Sequence, residues 1–428
     1  MAKGKHYDWR DGPAELDLHS LTKHDVLVGY LVRYFEQRTL KARGMERFRL
    51  TLVDGFCGGG LYTIRGTSQQ VLGSPLRMLK AVEEATTLIN RDRTKKLDLD
   101  IQYVFIDKNK HAIAYLMQVL KLHGYGAKIG NSIHLLCEEF ASAASATIAQ
   151  VARHTPRAGR ALFFLDQYGY TDVPAPLIRQ IFTSLPHSEV VLTFHVSSFA
   201  TYTNDEFAEH VGKALAIDVH EALGGQTIED IKGNDADWRR FIQGALYQAL
   251  VSKCGAQFFT PFFIRGQGSG HGEYWLVHLS QHHRAQDVMK QVHWQFQNHF
   301  VHYGGAGLDM LAPHTMGFRQ EFTGGFQFDD VALHQSNSAL IQQLAVNIAS
   351  RTSPVTVGEL FSSTCNTSPA TAGMYNTALE MLIGEKEIAI KSEDGKSKRY
   401  ARYICDSDLI QRCLQKNLFH STTLSTLR

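Results

Sequence analysis

The sequence predicts an α/β fold with a doubly wound, mostly parallel sheet, followed by a smaller helix-rich domain. Five short apolar segments alternate with helical patterns over the first half of the chain. The first segment runs directly into a glycine-rich turn, and two later strand patterns follow each other without a helix between them. Residues 334–428 return to helical patterns, so a second domain is expected there.

The elements of the predicted sheet follow one another in a regular order. The five strands are apolar along their length, which is typical of parallel strands buried on both faces. After the glycine turn, Ser74 is predicted as a helix N-cap and Pro75 as the first helical residue. The strands are predicted at 48–53, 101–106, 133–137, 161–165 and 189–196, and the helices at 17–37, 74–88, 110–122, 141–153 and 176–185.

The second half of the large domain departs from this alternation. Residues 205–256 are polar and helical, and we interpret them as an insertion or lid. Strands at 257–264 and 273–279 form a predicted hairpin around the glycine-rich segment 265–272. A closing antiparallel hairpin after five parallel strands is typical of class I methyltransferases. Residues 1–333 are therefore predicted to form a Rossmann-like domain of that kind.

Residues 334–428 have the pattern of a winged helix. Three helical segments, at 338–350, 355–361 and 368–383, precede strand patterns at 387–391 and 399–404 that flank a basic turn. Tyr400 and Tyr403 lie between cations, a combination that suits phosphates and bases. The cations predicted to bind nucleic acid are Lys391, Lys396, Lys398, Arg399 and Arg402. Winged helices also bind proteins, so a protein partner is the alternative.

Composition and charge exclude several classes of protein. The chain has 428 residues and a formal net charge of +2, so nucleic-acid contact must depend on local patches. No segment is apolar enough for a membrane span or signal sequence, so no membrane contact and a cytoplasmic location are expected. The six cysteines form no C-x-x-C pair and the 21 histidines no H-E-x-x-H motif, so neither disulfides nor a metal site is predicted.

The glycine turn at residues 54–60 is the first candidate site. Asp54 ends the first strand, where open α/β sheets bind ligands. Glycine lets the backbone approach a bound molecule, and a carboxylate here can hold the ammonium of S-adenosylmethionine. Cofactor binding is predicted at Asp54, Gly55, Phe56, Gly58 and Gly60. A nucleotide phosphate site and a plain tight turn are the alternatives.

Acidic residues also end the next two strands. Asp107 stands where dinucleotide-binding folds use a carboxylate to hold ribose hydroxyls. Its distance from Asp54 is much longer than the usual ~20 residues, which requires an insertion between the two strands. Glu139 ends the third strand and is predicted to meet the adenine amine of the cofactor. Helix capping by Asp107 and simple solvation of Glu139 are the alternatives.

The fourth strand ends in Asp166-Gln167-Tyr168-Gly169, which resembles the (Asn/Asp)-Pro-Pro-(Tyr/Phe) motif of methyltransferases that modify exocyclic amines. The resemblance implies that Asp166 holds the amine and that Tyr168 stacks on a base taken out of its helix. Gln167 stands where the motif has Pro. The alternative is an ordinary strand-end Asp beside a packed Tyr.

Several motifs together resemble the family of three-Cys-motif partner proteins. They lie between residues 16 and 300 and comprise His19-Ser20 with Lys23-His24, the turn at 53–60, Gly73-Ser74-Pro75, Phe105-Ile106-Asp107, residues 163–170, and residues 274–283 followed by Met289-Lys290. The resemblance implies a methyltransferase-like protein of bacterial phage-defence or mobile-element modules. It also implies a partner protein with three cysteines, of the radical S-adenosylmethionine kind.

Two functions from different classes remain open at this point. The leading hypothesis is an S-adenosylmethionine-dependent methyltransferase acting on an exocyclic amine of a nucleic-acid base, with Asp166 and Tyr168 as its catalytic residues. The alternative is a non-catalytic subunit that senses S-adenosylmethionine or a nucleotide and docks the three-cysteine protein or DNA. The Pro-to-Gln difference at Gln167 favours this alternative.

Overall fold

The computed structural model describes residues 7–16, 19–39, 44–167, 172–195, 209, 212–213, 216, 218–230, 251–265, 273–296, 300–302, 306–308 and 326–413. The chain divides into two compact units, Met1–Tyr303 with Pro313–Asp329, and Gly304–Ala312 with Asp330–Arg428. Most of the predicted insertion at 205–256, nearly all of the loop at 265–272, and Tyr168 lie outside the described residues.

The first unit is built on a nine-stranded sheet and a small three-stranded sheet. Its strands are β1 (Ala14–Leu16), β2 (Arg47–Asp54), β3 (Leu61–Ile64), β4 (Gln70–Leu72), β5 (Asp98–Ile106), β6 (Ile133–Leu136), β7 (Ala161–Asp166), β8 (Ser188–His195), β9 (Phe258–Arg265), β10 (Glu273–Ser280), β11 (Phe300–His302) and β12 (Phe326–Gln327). The large sheet has the order β12-β11-β9-β10-β8-β7-β2-β5-β6. Strands β2, β5, β6, β7 and β8 run parallel, and β10 lies antiparallel between β8 and β9. The predicted parallel strands and closing hairpin are therefore confirmed.

Helices cover the large sheet in two separate groups. They are α1 (His19–Thr39), α2 (Ser74–Arg91), α3 (Lys110–Leu122), α4 (Phe140–His154), α5 (Ala175–Ser184), α6 (Val219–Ala222) and α7 (His283–Gln295). Helix α1 packs against α2 and α7, whereas α4 packs against α5. None of the helices described here is long and apolar enough to cross a membrane.

The small sheet is inserted between the glycine turn and α2, which explains the long interval between Asp54 and Asp107. Strand β3 pairs with β4 in a hairpin, and β1 adds to β3 in parallel. The hairpin ends at Gly73, whose N–H donates to the Gly60 carbonyl at 2.9 Å. Because Gly73 is still extended, it is the N-cap of α2, and the prediction that Ser74 has this role is wrong.

The second unit is a winged helix, as predicted. It contains α8 (Asp330–Ala349), α9 (Val357–Thr364) and α10 (Ala372–Gly384), with strands β13 (Val355–Thr356), β14 (Ile388–Lys391), β15 (Ser397–Lys398) and β16 (Leu409–Arg412). The four strands form one sheet in the order β13-β16-β14-β15.

The strand expected at 399–404 is not present; residues Ala401–Tyr403 form a 3-10 turn instead. Side chains of α10 take up the backbone groups that a strand would have needed. The Ala401 N–H donates to the Glu380 carboxylate at 2.6 Å. The Asn376 amide donates to the carbonyls of Ala401 and Ile404 at 3.5 and 3.4 Å. These bonds hold the turn against α10.

Candidate functional site

A cavity lies between the inner face of α1 and the carboxyl ends of β2 and β7. About 40 Å³ of it is open to water-sized groups, space for a few water molecules or an ammonium group. Most of its walls are apolar, and its polar lining includes Lys23, His24, Asp54, Asp166 and Thr193. The structure thus brings two of the predicted site carboxylates, Asp54 and Asp166, to one cavity.

Asp54 is almost completely buried at the end of β2, with 2% of its surface exposed. Its Oδ1 accepts the Phe56 N–H at 3.2 Å, whereas its Oδ2 is buried without a hydrogen-bond partner. Burial raises the pKa of Asp54 to about 7, although the Phe56 amide and the nearby Ser74 hydroxyl act in the opposite direction. A buried carboxylate oxygen without a donor is unfavourable. It is the kind of atom that a cationic ligand group would satisfy.

The glycine turn is packed from within the protein. Gly58 and Gly60 have left-handed backbone, with φ of 59° and 78°. A Cβ added at Gly58 would lie 2.3 Å from the Tyr62 hydroxyl, and one at Gly59 would lie 2.3 Å from Trp9 Nε1. A Cβ at Gly60 would lie 2.6 Å from Leu116 and 2.9 Å from Leu76. Gly58 and Gly60 were expected to allow a cofactor to approach, and in this structure they also allow the protein's own side chains to pack against the turn.

The first part of the turn faces a different set of neighbours. A Cβ at Gly55 would meet Leu165 at 2.7 Å and Phe140 at 3.0 Å. The Phe56 ring lies tilted against Phe140, with ring centroids 6.3 Å apart. Gly55 therefore allows β2 to pass close to β7 and α4, and Phe56 packs onto the start of α4.

Asp107 is bonded directly to the glycine turn. Its Oδ2 accepts the Gly58 N–H at 3.0 Å, and its Oδ1 accepts the Asn109 N–H at 2.8 Å. Burial raises the pKa of Asp107 despite these two bonds. The N-cap of α3 is Asn109, so Asp107 is not that helix's cap. Each Asp107 oxygen keeps one further acceptor position, as two ribose hydroxyls would require.

Glu139 lies beyond Asp107 at the exposed end of β6. Its Oε1 is 3.5 Å from Lys108 Nζ, and both side chains are mostly exposed. Exposed ion pairs of this kind contribute little, so Glu139 can exchange this contact for another at small cost.

Asp166 is held by an ammonium that was not predicted to belong to the site. Lys23 Nζ donates to both Asp166 oxygens, at 2.8 and 2.7 Å, and the Thr193 hydroxyl donates to Oδ1. Burial alone would raise the pKa of Asp166, but the Lys23 ammonium outweighs it and holds this pKa below its usual range. About two fifths of the Asp166 side chain, 39%, is exposed. The sequence feature that could have pointed to Lys23 as a site residue is the Lys23-His24 motif of the family resemblance.

Gln167 has a structural function that explains its presence after Asp166. Its side chain is buried, and its Oε1 accepts the N–H groups of Asp172 and Val173 at 3.2 and 3.1 Å. Gln167 therefore connects the end of β7 to the segment just before α5. A proline at this position could not make these bonds. Tyr168, the second predicted catalytic residue, belongs to residues 168–171, which lie outside the part of the chain that the structure describes.

His24 and Tyr30, both on α1, also line the cavity. His24 is buried with no partner at Nδ1, and burial lowers its pKa to about 3. Tyr30 donates to Glu189, and its hydroxyl also lies 3.2 Å from His278 Nε2. Burial raises the pKa of Tyr30. His278 Nδ1 is also buried without a partner, so unpaired polar atoms remain at Asp54, His24 and His278 among the described residues.

The five predicted nucleic-acid-binding cations of the second unit fall into two sets. Lys396 pairs with Asp394 at 2.7 Å, and Lys398 lies 4.0 Å from Asp408. Within the described part of the chain, the other three have no carboxylate partner. They are Lys391, Arg399 and Arg402.

The fold and the position of these carboxylates define a class of protein. The order β6-β5-β2-β7-β8-β10-β9, with β10 antiparallel, is that of a class I methyltransferase-like fold. Acidic side chains lie at the carboxyl ends of β2, β5 and β7, the edge at which such sheets bind ligands.

Comparison with known proteins adds a family match for the second unit. Residues 313–395 match the family described as the GMT-like wHTH domain, which agrees with the winged helix seen in the structure. No curated protein matches the chain.

Solved structures resemble the chain only distantly. One is the protein LPL1258 of Legionella pneumophila, 10% identical over 62% of this chain and 85% of the other, with a TM-score of 0.35. Another is the plantazolicin methyltransferase BamL in complex with S-adenosylhomocysteine, 11% identical over 61% and 86%, with a TM-score of 0.26. A third is a candidate S-adenosylmethionine-dependent methyltransferase of Methanococcus maripaludis, 13% identical over 61% and 90%, with a TM-score of 0.24. The assignment of the fold therefore depends on the strand order.

Proposed function

We propose that the first unit binds S-adenosylmethionine and methylates an exocyclic amine of a nucleic-acid base. The observation that carries the proposal is the unpartnered Oδ2 of Asp54, buried at the end of β2 in the cavity that also contains Asp166. When bound, S-adenosylmethionine supplies an electrophilic methyl group on a sulfonium. The protein's own side chains would hold the cofactor and orient the acceptor amine.

Three carboxylates are suited to holding the cofactor. Asp54 Oδ2 would accept the ammonium of its methionine part in a charge-assisted bond. Asp107 would accept ribose hydroxyls at the two positions that its backbone bonds leave open. Glu139 would turn from Lys108 to the adenine amine. These three residues therefore fit the cofactor. Among them, Asp54 has a buried oxygen without a hydrogen-bond partner.

Asp166 retains one place for the methyl acceptor. A carboxylate offers about four acceptor positions. The Lys23 ammonium occupies one on each oxygen, and the Thr193 hydroxyl occupies a second one on Oδ1. A position on Oδ2 remains, on a side chain that is partly exposed. Asp166 would therefore orient one N–H of the amine, while Lys23 and Thr193 keep its carboxylate ionised and fixed.

The same ion pair favours a second candidate function. Lys23 already neutralises Asp166, so the site is stable without an acceptor amine. A non-catalytic unit that binds S-adenosylmethionine and docks a partner would need only the Asp54 and Asp107 contacts. The three-cysteine partner and the bacterial defence setting implied by the family resemblance stay predictions. Co-purification of the chain with such a protein tests the first of them.

Two measurements separate the candidates. Isothermal titration with S-adenosylmethionine and S-adenosylhomocysteine should show binding that is lost in an Asp54→Ala/Asp107→Ala double variant. Transfer of labelled methyl groups to mixed-sequence DNA and RNA oligonucleotides should be lost in Asp166→Ala, with cofactor binding unchanged. Glu138→Gln, a change at the exposed neighbour of Glu139, is the matched control.

Each outcome leads to a different conclusion. Binding and transfer that both depend on these residues support the methyltransferase. Binding without transfer to any oligonucleotide supports the non-catalytic unit. Absence of binding by the wild-type chain contradicts the methyltransferase and leaves a non-catalytic unit that senses a nucleotide.

A further inference from the structure

The third helix of the winged-helix unit, α10, is poorly equipped to enter a DNA groove. Residues Ala372–Gly384 contain no Lys or Arg. The helix's polar side chains Asn376 and Glu380 bind the backbone of the turn at 401–404. Its other outward positions include Thr377 and Met381, which carry no charge. Groove binding depends on cations that neutralise phosphates, so α10 is not suited to that role.

The turn that covers α10 presents two tyrosines to solvent. Tyr400 is 54% exposed and Tyr403 is 52% exposed, with ring centroids 6.4 Å apart in an edge-to-face arrangement. The Arg402 guanidinium lies over both rings, 4.7 Å from the Tyr403 centroid and 5.7 Å from that of Tyr400. Exposed aromatic rings with a guanidinium over them form a platform on which nucleobases can stack.

Two cations lie on or directly after the strands that lead into this turn, where Lys391 of β14 pairs with Ser397 of β15. Arg399 precedes Tyr400 directly, and Lys391 ends the wing strand β14. Neither has a carboxylate partner among the described residues, in contrast to Lys396 and Lys398, which lie beside Asp394 and Asp408. The cations without a carboxylate partner therefore lie on the part of the wing that leads into the tyrosines.

We propose that the tyrosine turn, residues 399–403, binds single-stranded nucleic acid. Bases stack on Tyr400 and Tyr403, and Arg399 and Lys391 bind the phosphates. An unpaired strand is required because the faces of bases in a duplex are covered by their neighbours, and only unpaired bases offer them to an aromatic side chain. The proposal does not depend on methyl transfer.

The test uses the full chain and a labelled oligothymidine of about 15 nucleotides, a length that spans several stacking sites. Thymine has no exocyclic amine, so binding of this probe is independent of the proposed acceptor site. Fluorescence anisotropy should show that Tyr400→Ala and Tyr403→Ala each weaken binding about tenfold. The Tyr400→Phe and Tyr403→Phe variants keep the ring and should bind like the wild type.

Salt dependence separates the two sets of cations. Lys391→Ala and Arg399→Ala should each reduce the slope of log affinity against log salt by about 0.7, the value for one phosphate contact on a single strand. Lys396→Ala, which removes a cation already paired with Asp394, should leave the slope nearly unchanged. Oligouridine in place of oligothymidine shows whether RNA or DNA binds better.

Several results would overturn the proposal. Equal or tighter binding of a duplex of the same length is one, and unchanged affinity in the double Tyr400→Ala/Tyr403→Ala variant is another. Absence of binding to either oligonucleotide is the third. A chain that binds oligothymidine but methylates nothing would support this proposal and contradict the methyltransferase, so the two can fail separately.

Discussion

An Asp54→Asn variant tests the cofactor site through a pH dependence that only an ionising carboxylate can produce. Burial raises the pKa of Asp54 to about 7. At that pKa, roughly 9% of Asp54 is ionised at about pH 6 and roughly 91% at about pH 8. A ligand ammonium binds the carboxylate form, so affinity for S-adenosylhomocysteine should increase about tenfold over this range.

Isothermal titration at three or more pH values measures this dependence directly. An asparagine side chain cannot ionise, so the Asp54→Asn variant should bind more weakly and with no comparable rise. Glu138→Gln, at an exposed acid outside the cavity, should keep the full rise of the wild type. A flat wild-type profile, or a tenfold rise that persists in Asp54→Asn, would refute the assignment of Asp54 to the ammonium.

Asp54→Asn, which should weaken ligand binding, should increase the stability of the folded chain. The pKa of Asp54 in the folded chain lies above its unfolded value of 3.8, so its contribution to stability is complete below about pH 4 and is lost as the pH rises through about 7. The difference corresponds to a loss of at most about 4 kcal/mol at pH 8. In the absence of ligand, Asp54→Asn should therefore raise the Tm at pH 8 more than at pH 4.

Three further substitutions test the surroundings of the site. Gly58→Ala combines a positive φ with a 2.3 Å contact and should lower the free energy of unfolding in urea by about 2–4 kcal/mol. Gly66→Ala, with a similar φ and open space, should lower it by only about 1 kcal/mol. Lys23→Met raises the pKa of Asp166, so the acid limb of methyl transfer should move to higher pH, whereas Lys23→Arg should keep it. Gln167→Leu leaves two backbone N–H groups without their acceptor, so hydrogen exchange at residues 172–173 should become faster; an unchanged rate would contradict the connecting role.

The central strands could be predicted because burial on both faces leaves an uninterrupted apolar segment. Strand β7, with all but its last residue buried, is the clearest example. The hairpin of β3 and β4 could not be predicted, since its sequence is rich in Gly, Ser, Thr and Gln and is typical of a loop. Its stability comes from β1 and from the packing of Trp9 on Tyr62, contacts between residues far apart in sequence.

The same distinction applies to the site. The positions of Asp54, Asp107 and Asp166 follow from the rule that strand ends meet at one edge of a parallel sheet. The contact between Lys23 and Asp166 could not be predicted, because 143 residues separate the two in the sequence. Gln167 was interpreted as a departure from a motif, since its bonds to Asp172 and Val173 can be seen only in three dimensions.

The winged-helix unit shows how a neighbouring element can override a local pattern. Tyr400, Tyr403 and Ile404 are residue types that favour a strand at 399–404. The carboxylate of Glu380 and the amide of Asn376 compete for the same backbone groups and produce a 3-10 turn. This competition also brings Tyr400 and Tyr403 to the surface as a pair.

The position of β10 between β8 and β9 has a consequence for synthesis on the ribosome. Strand β8 is apolar and pairs with β7 on one side, but its other side stays open until residues 273–280 have been translated. An open apolar strand edge attracts strands of other chains. Nascent chains that stall between residues 196 and 272 should therefore aggregate more readily than those that have completed the hairpin.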